Sequence, residues 1–191
     1  MKNKNKLIVF EGIDGVGKTA IVQEVKKLLQ KRKTSVVLYE AYEKRYSNFS
    51  KLKPFIKNIP ITGSLLFYLS SSVYKSYIIS RLLKKHWVVC DRYVYSTMAY
   101  HKAKGSCLRI DLNSLGIIKP DYTFLLTINE KIRAERLKQK IILTKADRVP
   151  KIPGSIPHKM EKLFKKMNLI EIDNSGSLNE TLNKISPFLF A

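Results

Sequence analysis

The most constraining feature of this chain is a glycine-rich octapeptide at residues 12–19, which reads GIDGVGKT and fits the pattern GxxxxGK[ST] without a gap. An apolar run at residues 7–10 precedes it, and IVQEVKKLLQ, which has the apolar spacing of an amphipathic helix, follows it. Glycines let the backbone turn its N–H groups toward one point, and the start of a helix adds the positive end of its dipole. The sequence therefore predicts a strand, a phosphate-binding loop and a helix, in this order.

Inside this loop the side chains suggest a division of work. We expect Lys18 to reach the terminal phosphates of a nucleotide and the Thr19 hydroxyl to hold Mg²⁺. The alternative is an ordinary strand-to-helix turn without a ligand, and a phosphate loop alone leaves motors, switches, assembly factors and kinases open. The predicted nucleotide-binding residues of the loop are Gly12, Ile13, Asp14, Gly15, Val16, Gly17, Lys18 and Thr19.

Apolar runs alternate with helical patterns along the rest of the chain. This alternation predicts an α/β fold of three layers, with a central five-stranded parallel sheet flanked by helices. The length of 191 residues fits one domain, residues 1–191, better than two, and residues 144–157 are predicted to form a mobile loop. The predicted strands are residues 7–11, 35–40, 87–91, 122–128 and 169–173. The predicted helices are residues 18–33, 63–85, 130–140, 156–166 and 178–190.

The formal net charge of +21 indicates an affinity for polyanions. However, lysines occur in nearly every segment, as in proteins with a general lysine bias, so specific nucleic-acid binding is not expected. No apolar run approaches the roughly 18 residues that a membrane helix needs. Two cysteines, Cys90 and Cys107, make neither a disulfide framework nor a metal cluster. We therefore expect a soluble, cytoplasmic protein.

A second charged site follows the apolar run that ends at Cys90. Asp91 and Arg92 stand at the end of a predicted buried strand, where ligands of open α/β sheets collect. Asp91 can then act on the metal and Arg92 on a second phosphate. The alternative is that Asp91 caps the following helix and Arg92 only pairs with it.

At this point the chain resembles the thymidylate kinase family of P-loop nucleoside monophosphate kinases over nearly its whole length. The resemblance implies a P-loop NTPase fold and a magnesium-dependent, usually homodimeric enzyme that moves the γ-phosphoryl group of ATP onto dTMP. The stretches that carry it are FEGIDGVGKT at 10–19, DRYVYSTMAY at 91–100, PDYTFLL at 120–126, DR at 147–148 and IDN at 172–174.

The resemblance also implies roles for single residues. Asp14 would sit beside the deoxyribose 3′-hydroxyl and Mg²⁺, and Arg92 would grip the dTMP phosphate. Phe67 would stack on the thymine ring, and Tyr100 would crowd the position that a ribose 2′-hydroxyl needs. Thr97 joins the acceptor site and Asn174 lies on the adenine side of ATP.

The chain departs from the family pattern on the acceptor side. Serine, Ser71, occupies the place of an arginine near the thymine edge, and residues 39–42 read YEAY where the family has a REPGG-like stretch. We keep Ser71 as an acceptor-site residue, with the alternative that the register of the helix turns it away from the base. The donor side is intact, so the prediction of ATP use rests on more residues than that of dTMP use.

A lid over the donor is expected at about residues 133–150. The loop at 12–19 has no arginine at its tip, so the cation that neutralises developing charge should come from the lid, as in bacterial-type members of the family. Arg136 and Arg148 are the preferred pair. Arg133, Lys138 and Lys140 are alternatives, and each could instead belong to a solvated helix face.

The sequence thus predicts a phosphotransferase that converts ATP and dTMP to ADP and dTDP. One alternative is a kinase of the same fold that acts on another deoxynucleoside monophosphate or on a nucleoside. Another is a basic ATP-binding protein that associates with nucleic acid.

Overall fold

The computed structural model describes residues 5–32, 34, 36–38, 56, 58–138 and 151–190. Five parallel strands form one sheet in the order β2-β3-β1-β4-β5. The fold is the predicted P-loop α/β architecture. The strands are β1 (Leu7–Glu11), β2 (Val36–Leu38), β3 (Trp87–Asp91), β4 (Tyr122–Thr127) and β5 (Ile170–Asp173).

Six α-helices are present among the described residues, and one of them was not predicted. The five predicted helices are confirmed, and the largest shift is in the second, predicted at residues 63–85, which begins two residues early and ends at Leu82. The helices are α1 (Lys18–Lys31), α2 (Ile61–Leu82), α3 (Val94–Ala103), α4 (Glu130–Lys138), α5 (Ile156–Lys165) and α6 (Leu178–Phe190).

The sheet separates two apolar cores. Alternate residues of β1 point to opposite faces, so Ile8 and Phe10 pack with β4, α1 and α6, whereas Leu7 and Val9 pack with α2 and α3. All five residues of β1 are buried, as expected for the central strand of a sheet that is covered on both faces. Helices therefore cover both faces of the sheet.

The pairing of β1 with β3 brings the two predicted charged sites together. Phe10 lies opposite Asp91 in the parallel register, so the loops that follow both strands leave the same edge of the sheet side by side. Carboxyl ends of parallel strands are where open α/β sheets bind ligands. The phosphate loop and the segment after Asp91 thus meet at one place.

No helix in the part of the chain that the structure describes has both the length and the apolar character required to cross a bilayer.

Candidate active site

The glycine-rich loop after β1 has the backbone that its sequence predicts. Gly12, Gly15 and Gly17 have positive φ angles, of 143°, 86° and 86°. A Cβ atom at Gly12 would lie 2.6 Å from the Leu126 carbonyl oxygen, so only glycine fits there. Gly17 is the N-cap of α1 and supplies no side-chain hydrogen bond. The first N–H groups of α1 can therefore bind an anion.

Lys18 folds back across this loop. Its Nζ donates to the carbonyl oxygens of Gly12, at 3.1 Å, and Ile13, at 2.8 Å, and the residue is only 6% exposed. Burial lowers the pKa of Lys18 to about 7, and the nearby Arg92 guanidinium contributes in the same direction. Because burial disfavours the charged ammonium, an adjacent anionic phosphate would stabilise it strongly.

Thr19 and Asp91 form a pair of oxygen ligands beside Lys18. The Thr19 hydroxyl donates to Asp91 Oδ2 at 3.0 Å, and Asp91 Oδ1 is buried without a hydrogen-bond partner among the described residues. A carboxylate oxygen left unpaired next to a hydroxyl fits a hard cation such as Mg²⁺, which prefers oxygen ligands and takes few of them from the protein. Within the described residues no cluster of three or more His, Cys, Asp or Glu side chains could hold a metal.

Arg92 lies across the loop from Lys18. Its Nη1 donates to the Gly12 carbonyl at 2.7 Å and to the Ser96 hydroxyl at 3.0 Å, and its Nη2 pairs with Asp14. The guanidinium and the Asp14 carboxylate are both partly exposed, and both residues line a cleft. Arg92 therefore already occupies a position from which it can meet an incoming phosphate.

A buried carboxylate for which the sequence predicted no role lies beneath Arg92. Glu11, the last residue of β1, is 0% exposed and accepts hydrogen bonds from the Tyr93 and Ser96 N–H groups and from the Ser96 hydroxyl. Burial raises the pKa of Glu11, while Ser96 and the Arg92 charge oppose the rise.

The alternative that Asp91 caps α3 is wrong, because the N–H groups of Tyr93 and Ser96 at the start of that helix donate to Glu11, and Asp91 accepts from Thr19 instead. The sequence signal for Glu11 was a single acidic residue at the end of an otherwise apolar strand.

Helix α4 packs directly on the glycine-rich loop. Arg133 is 1% exposed, and its Nε donates to the Asp14 carbonyl at 2.7 Å while its Nη1 pairs with Glu130 at 2.8 Å. Arg136 Nη2 donates to the Gly176 carbonyl at 3.1 Å, and its Nη1 would lie 3.5 Å from a Cβ atom placed at Gly17. Arg136 thus lies on the donor side of the loop, whereas Arg133 is buried and holds the loop through the Asp14 carbonyl. Lys140 and Arg148 lie outside the described residues.

Asn174, which follows β5, is held in the same region. Its Nδ2 donates to the Val16 carbonyl at 2.6 Å, and its Oδ1 accepts from the Thr181 hydroxyl at 2.7 Å. A Cβ atom at Gly17 would lie 2.8 Å from Nδ2. Asn174 therefore ties α6 to the glycine-rich loop.

A cleft of about 580 Å³ opens beside Arg92 and Asp14. The predicted Thr97 and Tyr100 line it, whereas Phe67 and Ser71 are not among its described lining residues, and Ser71 is only 7% exposed. The ring from α2 that lines the cleft belongs to Tyr68, against which Phe67 packs edge-on at 5.5 Å. The other lining residues are Ile13, Ser96, His101, Lys104, Ile156, Pro157 and Met160.

His101 joins the two helices that form this cleft. Its Nδ1 lies 2.8 Å from the Thr97 carbonyl oxygen, which can only accept, so Nδ1 carries the proton. Its Nε2 then accepts from the Ser64 hydroxyl at 3.0 Å. Burial lowers the pKa of His101, which favours this neutral form. His101 therefore fixes α3 against α2.

Comparison with known proteins agrees with this geometry. The family model for thymidylate kinase matches residues 10–185. A probable thymidylate kinase of Methanocaldococcus jannaschii is 34% identical over 97% of this chain and 96% of its own length. A thymidylate kinase of Caldicellulosiruptor saccharolyticus is 30% identical over 95% of this chain and 94% of its own length.

A solved structure supports the fold independently. The thymidylate kinase of Candida albicans superimposes with a TM-score of 0.70 at 18% identity, covering 97% of this chain and 91% of that one. The family model and the two relatives show that the chain belongs to the thymidylate kinase family of phosphotransferases.

Proposed function

We propose that this enzyme transfers the γ-phosphoryl group of ATP to dTMP with the help of Mg²⁺. The observation that supports this most is the adjacency of two anion sites: Lys18 and Arg92 both donate to the Gly12 carbonyl oxygen. Phosphoryl transfer requires the protein mainly to align two phosphates and to neutralise the charge that develops between them. Two cations on either side of one backbone carbonyl suit that task.

On the donor side, the free N–H groups of the loop and Lys18 would bind the ATP phosphates. Thr19 and Asp91 would hold Mg²⁺, which when bound neutralises phosphate charge. Arg136 is placed to reach the transferring group, and Arg148 is proposed as its partner from the lid at residues 133–150. Asn174 would act on the donor side by holding the loop that surrounds the phosphates.

On the acceptor side, Arg92 would exchange its contact with Asp14 for the dTMP phosphate. Asp14 would then be free to accept from the deoxyribose 3′-hydroxyl. Thr97 and Tyr100 line the cleft between this end and the base. We assign the base-facing ring to Tyr68 in place of Phe67, and we assign Ser71 a packing role inside α2, because Tyr68 lines the cleft and Ser71 is buried.

We also propose a homodimer that forms through α2. This helix exposes apolar and aromatic residues on one side, and Leu66 and Tyr77 are 55% and 56% exposed. Val73 and Tyr74 lie between them at helical spacing and are exposed as well. An exposed stripe of this kind is typical of a protein interface.

We also propose a cytoplasmic location, since ATP and nucleoside monophosphates are intracellular metabolites.

A different acceptor is the second candidate, and a specific observation favours it. Lys104 and His101 line the cleft, and its described lining includes no arginine other than Arg92. A base with another pattern of donors and acceptors could suit these side chains.

The deciding experiment is an ADP-release assay with ATP, Mg²⁺ and each of dTMP, dUMP, dCMP, dAMP and dGMP. The proposal expects the highest kcat/KM with dTMP and no turnover in Lys18→Ala, with the fold of the variant checked by circular dichroism. A higher kcat/KM with another monophosphate would establish the second candidate instead.

A further inference from the structure

Glu11 is buried next to the cleft but does not belong to its described lining. Its Oε1 accepts from the Tyr93 N–H at 2.8 Å and from the Ser96 N–H at 3.3 Å, and its Oε2 accepts from the Ser96 hydroxyl. All three contacts cross from β1 to the start of α3. A buried carboxylate is costly, so these contacts need a reason.

The carboxylate caps α3 from another element. The N-cap residue of that helix, Tyr93, supplies no side-chain hydrogen bond. Ser96 is the third residue of α3, and its N–H is one of those that an N-cap side chain ordinarily receives. A negative charge at this end of a helix is also favoured by the helix dipole. Glu11 thereby fixes where and in which direction α3 begins.

This arrangement determines the position of Arg92. Its backbone has φ of 70°, which is unfavourable for a residue other than glycine, and α3 starts two residues later. The Ser96 hydroxyl gives its proton to Glu11, so its oxygen can accept from Arg92 Nη1 at 3.0 Å. Glu11 thus holds Arg92 twice, through the backbone and through Ser96.

We propose that Glu11 is a positioning residue, whose buried carboxylate holds the Arg92 guanidinium in place for the phosphate of the acceptor nucleotide. The inference rests on the proposed function only in assigning that phosphate to Arg92. Glu11 itself touches neither substrate nor the reacting atoms.

The test compares Glu11→Gln with wild type by steady-state kinetics. Glutamine has nearly the same shape, but its amide nitrogen cannot accept the Ser96 proton and would instead donate to the Ser96 oxygen, in competition with Arg92. We expect KM for the acceptor to rise about tenfold while KM for ATP changes by less than about twofold. Glu24→Gln, at a partly exposed position of α1 where Glu24 pairs with Lys27, is the matched control and should leave both constants unchanged.

A double mutant separates positioning from general damage to the fold. If Glu11 acts through Arg92, adding Glu11→Gln to Arg92→Ala should change the acceptor KM by less than about twofold. If Glu11→Gln does not fold, Ser96→Ala tests the same link, since it keeps the carboxylate and removes its hydroxyl contact to Arg92. An unchanged acceptor KM in these variants, or an equal rise in the two KM values, would overturn the inference.

These kinetic measurements use as acceptor the monophosphate that the wild type uses best. A preference for a nucleotide other than dTMP would contradict the proposed function, but the comparison of Glu11→Gln with wild type would remain valid. A crystal structure of Glu11→Gln, or of Ser96→Ala if the first does not fold, gives a readout independent of turnover. A guanidinium displaced from the Gly12 carbonyl and Asp14 supports the inference. A guanidinium that stays on both of them overturns it.

Discussion

The charged side chains of Lys18, Asp91 and Arg92 each contact a partner within the protein. Lys18 donates to two backbone carbonyls, Thr19 donates to Asp91, and Arg92 pairs with Asp14. Buried charges without partners are costly, so these internal contacts stabilise the folded site. Ligand binding then exchanges partners, and the exchange has consequences that can be measured.

The first such consequence concerns the proton on Lys18. Its pKa is about 7 because the ammonium is buried, and an adjacent phosphate would raise that pKa again. ATP binding at pH 8 should therefore take up close to one proton, and binding below pH 6 should take up almost none. Calorimetry in buffers of different ionisation enthalpy measures this number. Lys18→Met should abolish the uptake, and an equal uptake in that variant would assign the proton to another group.

Substitutions can distinguish the roles of two neighbouring rings of α2. Because Tyr68 lines the cleft and Phe67 packs against its edge, Tyr68→Ala should raise KM for dTMP more than Phe67→Ala does. A lost stacking contact costs about 0.5–1.5 kcal/mol, which corresponds to a change in KM of about 2- to 13-fold. Steady-state kinetics on both variants decides the order, and a larger effect of Phe67→Ala would return the base-facing role to that residue.

Among the elements, the strands were predictable and α3 was not. Strands of a sheet that is covered on both faces are short and continuously apolar, and that pattern is local. Helix α3 reads VYSTMAYHKA, in which apolar residues follow no helical spacing, since it packs on several sides, against α5, α2 and residues of the sheet. Its start depends on Glu11, 82 residues away from Tyr93. A contact of that range leaves no local signal.

The orientation of α2 was hidden for a related reason. Apolar residues of this helix occur on nearly all of its sides, so their spacing does not indicate which side faces the cleft. Adjacent helical residues point about 100° apart, which is enough to exchange the roles of Phe67 and Tyr68. The phosphate loop needed no such information, because glycine, lysine and threonine at fixed spacing specify its conformation locally.

The contact of α6 with the glycine-rich loop yields a prediction at this scale. Asn174→Ala removes the donor that pairs with the Val16 carbonyl and the acceptor of the Thr181 hydroxyl, both of which are buried. We expect the free energy of unfolding to fall by about 1–3 kcal/mol. KM for ATP should rise, and KM for dTMP should stay within about twofold, since the acceptor cleft lies on the other side of the loop.

Denaturant unfolding and steady-state kinetics measure the two effects of Asn174→Ala. Asn183→Ala, at an exposed position of α6, is the matched control and should be neutral in both. Equal rises of the two KM values would show that the contact supports the whole site rather than the donor side.

For the whole molecule, the net charge of +21 contrasts with a site that gathers several of the few carboxylates. Carboxylates are scarce in this chain, with 15 Asp and Glu residues, yet three of them, Glu11, Asp14 and Asp91, lie together around the glycine-rich loop. The excess of lysines and arginines elsewhere creates a positive field that attracts anions over long distances. Nucleotides benefit from that field, and so does any polyanion in the solution.

The last prediction uses this field to separate the kinase from the nucleic-acid hypothesis. A diffuse positive surface should bind duplex DNA without sequence preference, and the logarithm of the binding constant should fall linearly with the logarithm of salt concentration, with a slope of about −0.9 per neutralised phosphate. ATP with Mg²⁺ should leave that binding unchanged, because the glycine-rich loop is a local site and the field is a property of the whole surface. Fluorescence anisotropy with two unrelated duplexes, from 50 to 200 mM salt and with or without ATP, measures all three quantities. Binding that depends on ATP or on sequence would mean that the charge serves a specific nucleic-acid function beside phosphoryl transfer.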